Sequence, residues 1–169
     1  MSAARAEVTR RIKALGRAGR LREAIQQLAS LAKLGIQPDT QAATALVSAA
    51  ARAGDMATAQ SIFDELFGGL LQPDEVTFSV LLRGYGAADP PAWTAIDATL
   101  STMRNVHGLS PSATSFNALL EVCVRTDDLD RGLDVIERMA ADGVEPDGFT
   151  EAAVAKKRVL RSHLRKIFA

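Results

Sequence analysis

The sequence predicts an all-α fold, a right-handed α-solenoid of about four helix–turn–helix repeats of ~35 residues with a C-terminal capping helix. Three observations predict this fold. Near copies of one short proline-containing motif recur along the 169 residues. Each interval between two of these motifs contains two stretches whose apolar residues recur every three or four positions, which is typical of amphipathic helices. The apolar positions of different intervals also coincide when the intervals are superposed on one another.

The recurring motif marks the end of each repeat. It occupies residues 35–39, 70–74 and 143–147, and residues 108–112 are a variant in which Ser112 replaces the aspartate. The prolines of successive motifs are 35, 38 and 35 residues apart. A period this long and this regular indicates stacked supersecondary units. We therefore divide the solenoid, residues 5–147, into four repeats at 5–39, 40–74, 75–112 and 113–147.

The fourth repeat illustrates the two helices of each interval. A first helix is predicted from Thr114 to Val124, and the polar residues 126–128 break it. The second helix has apolar residues on one face, at Leu129, Leu133, Ile136 and Met139. Gly143 is predicted to cap its end, and the proline that follows prevents the helix from continuing.

The third repeat is longer, and its extra residues can be assigned. Two of them are assigned to the turn at 90–91 and one follows the second helix, which restores the register with the other repeats. Trp93, Leu100 and Met103 then coincide with apolar positions elsewhere. We expect all three to be buried between helices.

Residues 148–169 begin like a fifth repeat and continue as a basic helix. We interpret this segment as a C-terminal cap, because the last repeat of a solenoid needs its exposed apolar face covered. The apolar residues available for this are Val154, Leu160, Leu164, Ile167 and Phe168.

A net charge of zero conceals two basic ends and an acidic middle. Residues 1–40 carry a net charge of +5, residues 41–147 carry −10 and residues 148–169 carry +5. A protein that bound nucleic acid over its whole surface would be basic throughout. Any such binding is therefore confined to part of the surface.

We interpret residues 1–5 as a mature or trimmed boundary, since they resemble only the end of a targeting peptide.

The sequence contains no recognisable catalytic constellation. A single cysteine, Cys123, excludes an internal disulfide and any multi-cysteine metal site, and its apolar neighbours predict a buried side chain. His107 and His163 lack metal-ligand or triad spacing. The acidic cluster at 127–130 is interpreted as a helix cap. We therefore predict no enzyme, no cofactor, no metal site and no membrane span.

The repeats resemble those of the pentatricopeptide repeat family, of the P-type found in short plant or algal organellar members. The residues that carry the resemblance are 75–82, 113–120 and the Pro-Asp repeat ends. It is strong for the last two repeats and weak for the first, in which Arg11 occupies a position that later repeats give to leucine. The family is mostly organellar and binds single-stranded RNA at about one base per repeat.

The resemblance implies base-reading pairs, each made of the fifth residue of a first helix and the last residue of its repeat. By the family's code, Asn117 with Asp147 resembles a uracil reader. Thr44 with Asp74 and Thr9 with Asp39 both resemble guanine readers. Ser79 with Ser112 departs from the code.

Two further sets of residues are implied. Second residues of neighbouring repeats would sandwich each base, at Val76, Thr114 and Phe149, with the polar Gln41 a poor fit. Arg17, Arg52 and Arg125 recur near the ends of first helices, where they could contact phosphates. Arginine is also favoured there by the partial negative charge of a helix C-terminus. Both explanations predict the same residue type and stay open.

Two functional hypotheses follow. In the first, the chain is an organellar single-stranded RNA-binding protein that acts in transcript processing, stability, splicing or translation. In the second, it is a protein-interaction scaffold subunit of a large organellar assembly, a ribosome or an RNA polymerase, without base readout. Arginine outnumbers lysine fifteen to five, which is compatible with a GC-rich plant or algal genome and favours the chloroplast over the mitochondrion.

Overall fold

The computed structural model describes residues 3–169, so Met1 and Ser2 of the predicted boundary lie outside the described part. All regular secondary structure in 3–169 is helical. The helices are α1 (Ala3–Arg17), α2 (Leu21–Lys33), α3 (Thr40–Arg52), α4 (Met56–Phe67), α5 (Glu75–Ala87), α6 (Trp93–Asn105), α7 (Ala113–Arg125), α8 (Leu129–Ala141), α9 (Gly148–Val154) and α10 (Arg158–Ile167).

The chain folds as two compact units, Met1–Gly84 and Tyr85–Ala169, called here the N-terminal and C-terminal units. In the N-terminal unit α1 packs on α2 and α3, and α3 packs on α4. In the C-terminal unit α7 packs on α8 and α9, and α10 packs on α8 and α9. The boundary lies within α5 rather than in a linker. This is compatible with an array of repeats, in which each repeat contacts chiefly its neighbours.

The core of the N-terminal unit is aliphatic between α1 and α3 and aromatic further along the chain. Ile12 and Leu46 are fully or almost fully buried in one apolar cluster. The ring of Phe63 lies 5.4 Å from that of Phe78, edge to face, a favourable arrangement for two aromatic rings. Arg11, which replaces leucine in the first predicted repeat, is exposed, and its Nε donates to Glu7 at 2.9 Å.

First helices approach each other closely where a small residue faces its neighbour. A Cβ on Gly16 would lie 2.9 Å from the Cβ of Ala49, and a Cβ on Gly86 would lie 2.6 Å from Cγ2 of Val122. A Cβ on Gly84 would first meet the side chain of Met56, at the start of α4, and would lie 3.2 Å from the Cβ of Ala51. Any larger side chain at these glycines would force the helices apart or displace the facing residue.

The expectation for the third repeat is right for two residues and wrong in part for the third. Leu100 and Met103 are 4% and 0% exposed, but Trp93 is only half-buried. Trp93 is the first residue of α6, where the helix starts at the surface. The guanidinium carbon of Arg131 lies 4.2 Å from the centre of the indole ring, so a cation covers the face that apolar residues were expected to cover.

The C-terminal segment forms two helices instead of the single capping helix predicted. The side chain of Asp147 caps α9, which ends at Val154, and α10 then crosses to α8. Leu160 packs against α8 where Gly132 leaves room for it. The two helices have different partners, since α9 packs on α7 and α10 packs on α8. Val154, Leu160 and Leu164 are buried as expected, whereas Ile167 is 38% exposed.

Candidate nucleic-acid interface

The aspartates that end three of the repeats are all N-caps of the helices that follow. Oδ1 of Asp39 accepts from the backbone N–H of Ala42 at 2.8 Å, which starts α3. Asp74 and Asp147 accept in the same way from the third residue after them, at 3.0 and 2.9 Å. Aspartate is favoured at this position because it satisfies a backbone donor that has no partner within the helix. The positions of the three carboxylates predicted to read bases are therefore set by the hydrogen bonds that cap these helices.

The structure brings Asn117 and Asp147 into direct contact. Nδ2 of Asn117 donates to Oδ1 of Asp147 at 3.0 Å, and the hydroxyl of Thr150 donates to Oδ1 of Asn117 at 2.6 Å. The asparagine is 6% exposed and the threonine is fully buried. These bonds hold the amide in one orientation and leave it one N–H for a ligand.

The electrostatics of Asp147 reflect the same contacts. The backbone N–H of Thr150 does most to hold the pKa of this carboxyl below its ordinary value, and the side chains of Asn117 and Thr150 act in the same direction. Desolvation opposes them. The carboxylate is thus ionised at neutral pH. The hydrogen bonds from Asn117 and Thr150 all end on Oδ1, and the backbone N–H of Phe149 also bonds the carboxylate.

Thr44 and Asp74 are connected through a third residue. The hydroxyl oxygens of Thr44 and Thr77 are 2.9 Å apart, and the hydroxyl of Thr77 donates to Oδ1 of Asp74 at 2.9 Å. A hydroxyl has a single proton, so Thr77, having donated to the carboxylate, accepts from Thr44. Thr44 consequently presents its oxygen lone pairs to anything that approaches from solvent.

Thr9 and Asp39 have no hydrogen-bond partner in common. The hydroxyl of Thr9 donates to the carbonyl oxygen of Arg5, one turn earlier in α1, at 3.0 Å. Thr9 is 7% exposed, and Asp39 bonds the backbone of Ala42, a residue without a hydroxyl. The predicted pair is therefore not joined into a network.

A pocket of about 410 Å³ opens beside the second reading pair, between α1, α3 and α5. Thr44 and Asp74 line it together with Gln41 and Val76, the two second-position residues that flank this pair. Three cationic side chains also line it, those of Lys13, Arg17 and Arg52. The pocket therefore combines a polar edge, an apolar surface and positive charge.

Lys13 was not predicted from the sequence, although a signal was present. It lies four residues after Thr9 and four before Arg17, so all three share one face of α1. The repeat-by-repeat comparison favoured positions that recur along the chain. The equivalent residues of the following repeats are Ser48, Arg83 and Glu121, so a basic residue recurs in the third repeat but not in the second or fourth.

Comparison with known proteins identifies the family. The sequence matches the pentatricopeptide repeat domain over residues 28–88 and 100–150, well over half of the chain. The chain belongs to the pentatricopeptide repeat family. It is similar to the chloroplastic protein CRP1 of Zea mays, with 39% identity over 75 residues that make up 44% of this chain and 11% of CRP1.

Solved pentatricopeptide repeat structures confirm the predicted all-α solenoid class. PPR10 from maize, in complex with an 18-nucleotide psaJ RNA element, is 24% identical with a TM-score of 0.76. The match covers 94% of this chain and 23% of that one. The pentatricopeptide domain of Arabidopsis thaliana protein-only RNase P 1, in complex with tRNA, is 18% identical with a TM-score of 0.69. That match covers 98% of this chain and 89% of the other.

The remaining pentatricopeptide positions differ in their surroundings. Ser79 is 8% exposed, and its hydroxyl donates to Glu75 at 3.0 Å. Its predicted mate Ser112 precedes α7 in the other compact unit. Second-position residues are open to solvent as base sandwiching requires, with Val76 58% and Phe149 77% exposed and Thr114 also exposed.

The three arginines of the predicted ladder divide into two groups. Arg17 and Arg52 line the pocket, whereas Arg125 donates a short hydrogen bond to the carbonyl oxygen of Gly86 near the end of α5. The guanidinium of Arg125 is thus bound to the negative end of α5 rather than to that of its own helix, and both explanations for this arginine stay open.

Groups with other chemistry are sparse in the described residues. Cys123 is fully buried, and burial raises the pKa of its thiol to about 12, so it is protonated at neutral pH. Within 3–169 no three His, Cys, Asp or Glu side chains cluster as metal ligands. No helix of that range has the length and apolar content needed to cross a membrane.

Proposed function

We propose that the chain is a single-stranded RNA-binding module that acts in an organelle in transcript processing, stability, splicing or translation. The observation that carries the proposal is the pocket between α1, α3 and α5. Single-stranded nucleic acid is bound by surfaces that combine positive charge for the backbone with flat or apolar groups for the bases. Lys13, Arg17 and Arg52 supply the charge, and Val76 supplies the apolar surface.

The hydrogen-bond networks favour RNA over the protein scaffold as the ligand. Asn117 and Thr44 are each held in a defined donor or acceptor state by buried threonines, and an aspartate lies beside each. A general protein-docking groove gains nothing from polar side chains fixed in this way, whereas reading the edge of a base requires it.

The same proposal places the protein in the chloroplast and gives it a binding role rather than a catalytic one. CRP1 is described as chloroplastic, which supports the chloroplast over the mitochondrion for this chain. RNase P 1 combines pentatricopeptide repeats with an enzyme's activity, but the present residues supply binding rather than chemistry. The chain spans only 11% of CRP1 and 23% of PPR10, so it corresponds to a small part of either protein.

Fluorescence anisotropy with strands of about ten nucleotides tests the proposal. The strands are adenosine throughout except for one central base, which is A, C, G or U. We expect binding that weakens with salt, as phosphate contacts require, and a preference of about fivefold for U over A that is lost in Asn117→Ala. The preference for G over A is expected to remain in that variant, because Thr44 and Asp74 are unchanged.

The scaffold hypothesis makes a different prediction in the same assay. If the chain binds none of the four strands at micromolar protein and low salt, RNA is not its ligand. Crosslinking in organelle extract would then be expected to recover protein partners without RNA. Binding that tolerates salt and every base substitution would also contradict base readout.

A further inference from the structure

In the second and fourth reading pairs, the third residue of the following repeat contacts both members of the pair. The four third residues are all fully buried, and they are Ala42, Thr77, Ser115 and Thr150. The reading pair that precedes Ser115 is divided between the two compact units, so the comparison rests on the other three. Two of those carry a hydroxyl and one does not.

Thr77 fixes what the second pair offers to a base. Its hydroxyl donates to Asp74 and therefore accepts from Thr44. With its proton directed inwards, the Thr44 oxygen can only accept a hydrogen bond from a ligand. Guanine is the base whose Watson–Crick edge carries both a ring N–H and an amino group, so an acceptor at this site favours it.

Thr150 fixes the fourth pair in a similar way but with the opposite result. Its hydroxyl donates to Oδ1 of Asn117 at 2.6 Å, and the same oxygen lies 3.1 Å from Asp147. One proton serves one acceptor at a time, and the shorter contact is to the asparagine. The asparagine oxygen is thereby occupied, and its free N–H can only donate, which suits a carbonyl oxygen of uracil.

Ala42 leaves the first pair without this connection. Thr9 has the same residue type as Thr44, and Asp39 the same as Asp74, yet the Thr9 hydroxyl donates to the backbone of its own helix. Asp39 is held only by the backbone N–H of Ala42. The family's code would therefore assign the same base to the first and second pairs. Only the second pair, however, has the hydrogen-bond network that would hold its side chains in position to bind that base.

We propose that the third residue of the following repeat is a positioning residue that decides whether a reading pair discriminates between bases. Thr77 makes Thr44 with Asp74 selective for guanine, Thr150 makes Asn117 with Asp147 selective for uracil, and Ala42 leaves Thr9 with Asp39 unselective. The inference rests on the proposed RNA-binding function and concerns the same sites. It adds a third residue to the determinants of base choice.

Replacement of each threonine by valine tests the proposal at constant side-chain shape. The same four strands are used, and base preference is the ratio of Kd values between two strands. Thr77→Val is expected to reduce the preference for G over A from about fivefold to below twofold, with binding of the all-adenosine strand unchanged. Thr77→Ser restores the hydroxyl and is expected to restore the preference, which a purely structural role would not require.

Thr150→Val gives a second, qualitatively different signature. Without the hydroxyl the Asn117 oxygen loses its donor and only the bond to Asp147 still orients the amide, so the discrimination of uracil from cytosine weakens. We expect the ratio of C binding to U binding to rise by at least about threefold. An unchanged ratio would contradict the role given to Thr150.

Thr58 provides a matched control for the loss of a helix-capping hydroxyl. It follows Asp55 by three residues at the start of α4, its hydroxyl bonds Asp55 at 2.6 Å, and neither residue lines the pocket beside Thr44. Thr58→Val should lower the melting temperature about as much as Thr77→Val while leaving every base ratio unchanged. If the base ratios also change in Thr58→Val, the loss of preference in Thr77→Val is caused by lower stability and not by a change in base reading.

Ala42→Thr and the smaller Ala42→Ser test the gain of function. Adding the hydroxyl is expected to increase the G over A ratio, because Thr9 and Asp39 acquire a common partner. If the wild-type chain binds no RNA, the proposed function fails. If it binds RNA with base preference but Thr77→Val keeps that preference, the positioning role fails while the proposed function stands.

Discussion

The two compact units carry reading pairs of similar construction in different electrostatic surroundings. In the N-terminal unit, Thr44 stands beside a pocket lined by Lys13, Arg17 and Arg52. In the C-terminal unit, Asn117 is followed one turn later by Glu121, and Arg125 is occupied by a backbone carbonyl. In the proposed mode of binding, base selection and charge attraction are therefore separable. The N-terminal unit would combine both beside Thr44, whereas the charged residue one turn from Asn117 is the acidic Glu121.

Removing the cations of the N-terminal unit is expected to have the largest effect. The variant Lys13→Ala/Arg17→Ala/Arg52→Ala should weaken binding of any single strand by about 30-fold or more at low salt. The slope of log K against log salt should fall by about 2, since each contact contributes ~0.7. The control removes an equal charge at exposed Arg10, Arg20 and Arg22, which do not line the pocket. Equal losses in both variants would show that only net charge matters.

Stability in the C-terminal unit is expected to depend on Trp93, although less than full burial would imply. Trp93→Ala should lower the free energy of unfolding by about 2 kcal/mol, below the 3–5 kcal/mol typical of a fully buried tryptophan. Urea denaturation measures this difference. Trp93→Phe is expected to retain most of the stability because an aromatic face under Arg131 remains. A loss above about 4 kcal/mol would mean that the indole is more deeply packed than described.

Placing a cation in the C-terminal unit sharpens the comparison. Glu121 is exposed, and its position in the fourth repeat is equivalent to the position of Lys13 in the first repeat. Glu121→Lys is expected to strengthen RNA binding about threefold at low salt and to steepen the salt slope by up to ~0.7. The uracil preference should stay the same, because the Asn117 network is untouched. Glu121→Gln separates removal of the negative charge from addition of the positive one.

The smallest effect expected is on the pH dependence of stability. The pKa of Asp147 is lowered in the folded chain from its ordinary value of 3.8. Its contribution to stability is therefore present at neutral pH and is lost as the pH falls through the folded pKa, below about 4. Asp147→Asn keeps an N-cap but cannot ionise, so its urea midpoint should vary less between pH 5 and pH 3 than that of the wild type. Identical profiles would exclude the carboxylate as a contributor.

Much of the fold could be predicted from the sequence because its signals are local. A proline and an aspartate mark the end of a repeat, and α3 and α5 begin immediately after Asp39 and Asp74. The helix break between Val154 and Arg158 has no comparable local signal. It arises because α9 and α10 pack on different helices, a consequence of tertiary contacts.

The candidate site was only partly predictable for the same reason. Asn117 and Asp147 were paired by position, and the structure places their polar atoms 3.0 Å apart. Thr150 and Thr77 were overlooked because each belongs to the next helix and meets its partner 33 residues away in the sequence. Pairing two positions per repeat could not reveal a third residue contributed by the following repeat.

The small residues between first helices have a consequence for spacing. Gly16 against Ala49, and Gly86 against Val122, let neighbouring helices approach until backbone and side chain nearly touch. The separation of adjacent helices also sets the separation of the residues that face a ligand from them. A nucleotide chain has its own limited range of distances between successive bases. Under the proposed function, the spacing at which the protein can follow a nucleotide chain would therefore be set by residues that do not contact it. Enlarging one glycine would then misalign the proposed sites even though their own side chains are intact.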